Sequence, residues 1–144
     1  MRTSSRTELA GRLRLAVTRT ARRLRQEGGG GLSPSLTSAL STVDRHGPLT
    51  PSELATRERV QRPTATRIVA RLEEQGLTAR TADPADGRSS LVSATAEGRA
   101  LLQALRTQKD AYLARRLATL TADERATLTA AAAILEGLLE EEAA

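Results

Sequence analysis

The sequence has no cysteine, tryptophan or phenylalanine, and Tyr112 is its only residue of the Phe, Tyr and Trp group. The lack of cysteine excludes disulfides, thiolate metal sites and thiol-based redox sensing. Without large rings, a core has to be assembled from many small aliphatic side chains on helices, which disfavours a β-sandwich or a barrel. The length of 144 residues is that of one ordinary domain.

Long apolar runs are also missing. No run of about 18 apolar residues exists to span a membrane, and the arginine-rich N-terminus has no apolar segment of the kind found in signal peptides. We therefore expect no membrane partner and a cytoplasmic location. The 22 basic and 17 acidic residues give a net charge of +5, which permits a nucleic acid as partner without proving it.

Groups suited to catalysis are few. His46 is the only histidine, so neither a histidine cluster nor a Cys-His pair can form. A Ser-His-Asp arrangement would lack a nucleophile-elbow motif. Gly28 to Gly31 connect two helical patterns, whereas a phosphate-binding loop follows a strand. Asp83 and Asp86 lie in a turn with too few oxygen ligands for a calcium loop. We predict that the protein is not an enzyme and holds no metal or cofactor.

Two pairs of residues predict the starts of two helices. Ser33 precedes Pro34 and Thr50 precedes Pro51, so each hydroxyl is placed to cap a helix whose first position suits proline. Glu53 would complete a capping box with Thr50.

A third helix start follows closely. Arg62-Pro63 breaks the preceding helix and opens another that extends to about Gln75, with Gly76 as its C-terminal cap. Two short helices joined by a tight turn form a helix-turn-helix unit.

The apolar period changes after this unit. Residues 77–81 alternate, residues 82–87 are rich in turn formers, and residues 89–93 are typical of a return strand. A small hairpin directly behind a helix-turn-helix is a wing. We therefore predict a mainly α fold with a small two-stranded β wing, in which residues 33–95 form a winged helix-turn-helix unit for DNA binding.

Residues 6–27 and 96–140 have long apolar stripes at helical spacing. Thr95 is placed to cap the first helix of the second segment, and Thr121 and Glu124 predict a capping box within it. The winged unit is too small to cover both stripes. This predicts N- and C-terminal dimerisation helices within a single domain of residues 1–144, and hence a homodimer. The alternative is that the stripes pack on each other within one chain.

Exposed polar side chains are expected along the start and one side of the helix that begins near Pro63, because its apolar positions face the core. The major groove accepts the first turns of such a helix. Arginine can form two hydrogen bonds to guanine, and threonine can hydrogen-bond a base or offer its methyl group to thymine. For any one of these residues the alternative is a plain exposed side chain. The expected contacts to double-stranded DNA are Arg62, Thr64, Thr66, Arg67 and Arg71.

The tip of the predicted wing holds a further candidate. Arg88 suits the narrow minor groove, where an inserted arginine is favoured by shape and potential. Asp86 is predicted to hold that guanidinium, because a carboxylate and an arginine pair in a planar fork. The alternative is a surface salt bridge that contributes little.

Short motifs follow one another in register between residues 49 and 98. They are Leu49-Thr50, Leu54-Ala55, Pro63-Thr64-Ala65-Thr66-Arg67, Leu72-Glu73, Gly76-Leu77, Asp83-Pro84, Asp86-Gly87-Arg88 and Thr95-Ala96-Glu97-Gly98. Together they resemble the MarR family of winged-helix transcriptional regulators. Ala94 departs from the pattern, since the family usually has leucine there.

The resemblance implies a two-fold dimer, joined by its terminal helices, that binds a palindromic operator in promoter DNA. Most such proteins repress a neighbouring gene or their own, and they release DNA when a small-molecule effector binds. The resemblance also implies base or phosphate contacts at the five helix positions above and a minor-groove contact at Arg88, with Asp86 in support. Because Tyr112 is the only Phe, Tyr or Trp residue, the sequence offers little for stacking on an aromatic effector. The alternative from another class is a winged-helix protein-interaction module without DNA binding, which an absence of salt dependence would favour.

Overall fold

Hydroxyl groups cap the helices at the predicted places. In the computed structural model, which describes residues 5–28 and 31–143, Ser33 Oγ accepts from Leu36 N at 3.3 Å. Thr50 Oγ1 accepts from Glu53 N at 3.1 Å. These bonds satisfy amide groups that have no partner inside the helix. Both predicted helix starts are confirmed. Of the predicted capping box, the structure shows the bond from Glu53 N to Thr50 Oγ1.

Within the described residues, six helices and two strands follow each other along the chain. They are α1 (Arg6–Gly28), α2 (Pro34–His46), α3 (Pro51–Glu58), α4 (Arg62–Glu74), β1 (Thr78–Ala82), β2 (Ser90–Ala94), α5 (Ala96–Leu117) and α6 (Ala122–Ala143). The predicted fold class is confirmed. Of the glycine run that was predicted to connect the first two helical patterns, Gly28 is the last residue of α1, and Gly29 and Gly30 lie outside the described residues.

The chain divides into two compact units, one up to Lys109 and one from Asp110 onward. The boundary lies inside α5, so the first unit contains α1 to α4, both strands and the start of α5. The second unit contains the rest of α5 and α6. The assignment of one domain to residues 1–144 stays a prediction.

An aliphatic core fills the first unit, as the lack of aromatic residues predicts. Its buried side chains come from α2, α3, α4, β2 and α5 and from the segment before α3, and they cluster together in one core. They include Ala39, Leu40, Val43, Leu49, Leu54, Val69, Leu72, Val92 and Leu102. This core fixes the inward face of α4 and leaves the opposite face to solvent.

The turn after α4 determines where the wing begins. Gly76 has φ +73°, which favours glycine, and its N–H bonds Glu73 O at 2.9 Å. Leu77 N donates to Leu72 O at 2.9 Å, so the helix ends in a Schellman motif. Because Leu77 belongs to this motif, β1 begins at Thr78, one residue later than predicted.

The second strand is displaced in the same way. Ser89 N donates to Asp86 O at 3.0 Å and therefore belongs to the turn, so that β2 begins at Ser90. The strands pair antiparallel, from Thr78 opposite Ala94 to Ala82 opposite Ser90. The other edge of β2 is held by the core segment before α3, where Leu49 and Val92 exchange backbone hydrogen bonds at 2.7 and 3.0 Å.

Two contacts of α5 close the first unit around this turn. Thr95 Oγ1 accepts from Gly98 N at 3.0 Å, which confirms the predicted cap, and donates to Gly76 O at 2.6 Å. Gly98 lies directly against Leu77 O, where any Cβ atom would collide. The start of α5 is thereby packed against the end of α4.

In the second unit, the predicted capping box at the start of α6 is confirmed. Glu124 N donates to Thr121 Oγ1 at 3.1 Å, and Thr121 N donates to Glu124 Oε1 at 3.0 Å. Arg125 donates to the carbonyl oxygen of Leu117, the last residue of α5, at 3.4 Å and to that of Leu120, in the connection before α6, at 2.6 Å.

Large apolar side chains lie exposed on both terminal helices, each in its own unit. They are Leu9, Leu13, Leu15 and Val17 on α1, and Leu128, Ile134, Leu138 and Leu139 on α6. None of the described helices is both long and apolar enough to cross a membrane.

Candidate nucleic-acid interface

The helix α4 presents a polar surface because the core uses its apolar side chains. Ala65, Val69 and Leu72 are fully buried, and their spacing places them on one face of the helix. The predicted DNA contacts occupy the remainder of its surface. Thr64 is half-buried, and the other four are exposed: Arg62, Thr66, Arg67 and Arg71.

Three of these residues share a cleft with the start of α2. The cleft has a volume of about 250 Å³, and the residues that line it from α4 are Thr64, Arg67 and Arg71. Ser35 of α2 and the capping residue Ser33 line the opposite side of the cleft. Cationic and hydroxyl donors together suit a negatively charged group such as a phosphate. Local sequence spacing predicts Ser33 only as a cap and does not single out Ser35, because it does not reveal that α2 packs beside α4.

Arg62 and Thr66 lie along the other edge of the exposed face, since they are one turn apart on the helix. Thr66 Oγ1 donates to Arg62 O at 3.0 Å, so the helix itself uses the hydroxyl hydrogen. The oxygen keeps its capacity to accept, and the methyl group stays available for apolar contact. The five predicted residues therefore form a pair on one edge and a group of three beside α2.

The turn of the wing is ordered by its aspartates. Ala85 N donates to Asp83 Oδ1 at 2.9 Å, and Arg88 N donates to Asp86 Oδ1 at 3.0 Å. Each carboxylate thus bonds the amide two residues ahead, as aspartate commonly does in turns. Asp83 N also donates to Ser89 O at 3.1 Å, which closes the turn.

The predicted fork between Asp86 and Arg88 is wrong. Among the described residues, no ion pair joins these two side chains. Asp86 bonds the backbone N–H of Arg88 instead, because that amide is within reach without ordering a long side chain. Arg88 itself is exposed at the tip, where the sequence placed it.

An acidic residue of α4 is paired with the wing. Glu73 Oε1 accepts from Arg80 Nε in an ion pair, with the two side chains 30% and 37% exposed. Glu73 lies in the last turn of α4, and Arg80 is the middle residue of β1. Local sequence spacing does not predict this pair, because the two residues belong to different elements.

No group of three or more His, Cys, Asp or Glu within residues 5–28 and 31–143 is placed to hold a metal ion. His46 lies exposed in the last turn of α2, next to Arg45. Basic side chains there suit the negative end of the helix dipole.

A solvent-facing polar helix after a tight turn, followed by an ordered hairpin with an exposed arginine at its tip, defines a winged helix-turn-helix protein. The second helix of such a unit enters the major groove, and the wing lies beside it.

Comparison with known proteins identifies the family. The sequence model of the MarR family matches residues 32–90. The HTH-type transcriptional regulator MT0903.1 of Mycobacterium tuberculosis is 42% identical over 134 residues, which are 92% of this chain and 94% of that protein. A crystal structure of a candidate transcriptional regulator from Pseudomonas aeruginosa PA01 is 37% identical, with a TM-score of 0.84 over 96% of this chain and 98% of that chain. Wild-type MarR from E. coli in its apo form is 29% identical, with a TM-score of 0.72 over 90% of this chain and 96% of that chain.

The chain belongs to the MarR family. It is a transcriptional regulator of the MarR type, a family of non-enzymatic DNA-binding proteins that act as dimers.

Proposed function

We propose that two copies of this chain bind a palindromic operator and repress an adjacent promoter or their own. The observation that supports this most is the exposed arginine and threonine set on α4 beside a wing that ends in Arg88. In a two-fold dimer, the two copies of α4 would enter successive major grooves about 34 Å apart. A dimer bound across promoter DNA would obstruct transcription, which supports repression.

The proposed contacts differ in kind along the helix. Arg62, Thr64, Thr66 and Arg67 lie in the first two turns of α4, the part of a recognition helix that meets base edges. Arg71 lies one turn further from the start of α4, beyond the residues that meet base edges, which favours a phosphate contact.

The wing is proposed to contact the minor groove through Arg88. Asp86 would support that contact by fixing the backbone of the turn, since its carboxylate bonds the Arg88 amide. The guanidinium would then be available for the narrow, electronegative groove of A·T-rich DNA.

Dimerisation is proposed through the terminal helices. Leu9, Leu13 and Val17 on α1 are 48%, 39% and 51% exposed, and Ile134 and Leu138 on α6 are 66% and 55% exposed. Rows of exposed large apolar residues usually mark an interface. Symmetric dimers are the commonest closed assembly that would cover them.

A cavity of about 430 Å³ in the first unit is the proposed site for an effector that releases DNA. Arg25 and Lys109 contribute cations to its lining, and Leu32 and Leu105 contribute apolar surface. Among the residues that the structure describes, none in this lining is acidic. Such a lining suits an organic anion. Because the described lining holds no aromatic residue, aliphatic contacts would hold the body of the effector.

The test of DNA binding is selection of bound fragments from the sheared genome of the source organism, followed by titration against salt. We expect an enriched pseudo-palindrome of about 16–20 bp. Its affinity should fall steeply between roughly 50 and 200 mM salt, because phosphate contacts release counterions. An absence of enrichment together with salt-independent binding to other proteins would contradict the proposal and favour the protein-interaction module.

The effector is tested separately with a panel of small carboxylates and phosphate esters. We expect at least one to raise the melting temperature of the protein and to weaken operator binding, and Arg25→Gln to lower both effects. A panel that changes neither quantity would contradict release by an organic anion.

A further inference from the structure

The two elements proposed to contact DNA are joined by a very short connection. Only residues 75–77 separate α4 from β1, and Gly76 adopts a left-handed conformation there. Thr95 bonds Gly76 O through its hydroxyl and Leu77 O through its amide, at 2.6 and 3.0 Å. These bonds attach the connection to the start of α5, and neither of them joins α4 directly to β1.

The angle between α4 and β1 has its own side-chain contact. In the part of the chain that the structure describes, the ion pair between Glu73 and Arg80 is the only side-chain hydrogen bond or ion pair that joins α4 to β1. Arg80 lies opposite Val92 in the hairpin, and Val92 is anchored to the core segment through Leu49. Arg80 therefore lies in the part of the wing that is anchored to the core, two residues before β1 ends at Ala82.

The position of Glu73 on α4 gives the pair a second consequence. Arg62, Thr66 and Glu73 are separated by four and seven residues, which places them along one edge of the helix. A carboxylate on the edge that is proposed to meet DNA would be repelled by phosphates. Arg80 neutralises this charge, and it is itself occupied by doing so.

We propose that the Glu73–Arg80 ion pair sets the angle between the wing and the recognition helix, and so couples the minor-groove contact of Arg88 to readout in the major groove. Glu73 and Arg80 are positioning residues in this scheme, and the inference rests on the proposed binding of operator DNA. The pair is partly exposed, so it adds little to the stability of the fold. Its removal should therefore change DNA binding without unfolding the protein.

The experiment uses the selected operator in two forms, with A·T-rich or with G·C-rich flanks, and measures the ratio of the two affinities. We expect Glu73→Ala to lower this flank preference by up to about fivefold, because a partly exposed ion pair contributes no larger factor to an equilibrium constant. The preference among central base pairs should remain. On non-specific DNA, the slope of log affinity against log salt should steepen by about one, because the released Arg80 becomes available to a phosphate.

Three further variants separate the coupling from other effects. Arg80→Ala should lower the flank preference without steepening the salt slope. Glu74→Ala is the matched control, since it removes an exposed acid from the neighbouring position and leaves the ion pair intact. It should keep the flank preference of the unaltered protein. The double exchange Glu73→Arg with Arg80→Glu re-forms the pair in reverse and should restore the preference.

The outcomes divide cleanly. If the unaltered protein shows no sequence-specific DNA binding, the proposed function itself fails. If it binds its operator with a flank preference that Glu73→Ala and Arg80→Ala leave unchanged, the coupling is refuted and the proposed function stands. Melting curves show whether each variant is folded. If a single variant does not fold, the double exchange tests the proposal in its place. A folded exchange variant without flank preference overturns the proposal.

Discussion

At the scale of single residues, local hydrogen bonds determine which groups are available to DNA. The hydroxyl hydrogen of Thr66 is engaged by the Arg62 carbonyl, and the Asp86 carboxylate is engaged by the Arg88 amide. Arg67 Nη2 lies 3.4 Å from Thr64 Oγ1 and donates to it, a long bond that a base edge can replace. Guanidinium groups therefore provide most of the donors on this surface.

The first prediction at this scale concerns Arg67. We expect Arg67→Ala to weaken operator binding by about 1–3 kcal/mol and to relax sequence preference, because an arginine that bonds a base edge contributes to both. Titration of operator variants substituted at single base pairs would measure the two effects. Arg106→Ala removes the same charge from an exposed position of α5 and serves as control. Unchanged affinity and preference in the Arg67 variant would refute its assignment.

The second prediction at this scale concerns a buried hydroxyl. Thr78 is 4% exposed, and its Oγ1 has no hydrogen-bond partner among the described residues. A valine has the same shape without the desolvated oxygen, so Thr78→Val should increase the free energy of unfolding by about 1 kcal/mol. Thermal melting would show a rise of about 3 °C for a chain of this size. The control Thr81→Val, at an exposed position of the same strand, should leave the melting temperature nearly unchanged. A lower melting temperature of the Thr78 variant would contradict the prediction and indicate that a buried water bonds the hydroxyl.

At the scale of elements, the recognition helix and the wing are held in different ways. The helix is fixed by its buried apolar face, whereas the wing consists of two five-residue strands with mostly exposed side chains on β1. A two-stranded hairpin is marginally stable alone. The wing therefore depends on its attachments, which are the Leu49 bridge, the close approach of Gly98 and the ion pair to α4.

The prediction for the wing is a loss of affinity that depends on flanking sequence. We expect Arg88→Ala to weaken binding more on A·T-rich than on G·C-rich flanks, because the narrow minor groove of A·T tracts favours an inserted arginine. Affinity measurements on the two operator forms would test this. Arg88→Lys keeps the charge and should retain part of the binding on both flanks. Equal losses of Arg88→Ala on the two forms would argue against insertion into the groove.

At the scale of the whole molecule, the net charge and the exposed apolar surface favour two different partners. The net charge of +5 suits approach to DNA, while rows of exposed apolar residues such as those on the terminal helices are typical of an interface. A dimer would satisfy both, because it covers the apolar rows and presents two copies of α4. Dimer formation and operator affinity should therefore rise and fall together.

The corresponding prediction uses α6. Ile134 is 66% exposed in the single chain, and Ile134→Glu should weaken the dimer about tenfold or more, because a buried isoleucine contributes at least about 1.5 kcal/mol. Sedimentation equilibrium would measure the dissociation constant, and operator titration the linked loss of affinity. Ala132→Glu places the same charge on roughly the opposite side of the helix and should alter the dimer less. A dimer unaffected by Ile134→Glu would remove this face of α6 from the interface.

The sequence by itself determined the helices, their starts and the kind of core. Hydroxyl groups cap the helices at the predicted residues, because capping is a local interaction over three residues. The capping residues are Ser33 and Thr50 before prolines, Thr95 before α5, and Thr121 in a capping box with Glu124. The absence of aromatic rings predicted an aliphatic core, and composition cannot be changed by folding.

The tertiary structure alone decided which of these groups meet. The strands begin one residue late because the ends of α4 and of the turn use Leu77 and Ser89, and Asp86 bonds a backbone amide where a guanidinium was expected. The cleft of Ser33 with Arg71 and the pair of Glu73 with Arg80 join residues from different elements. Sequence spacing describes one element at a time, whereas these contacts arise only where elements distant along the chain are packed against the shared core.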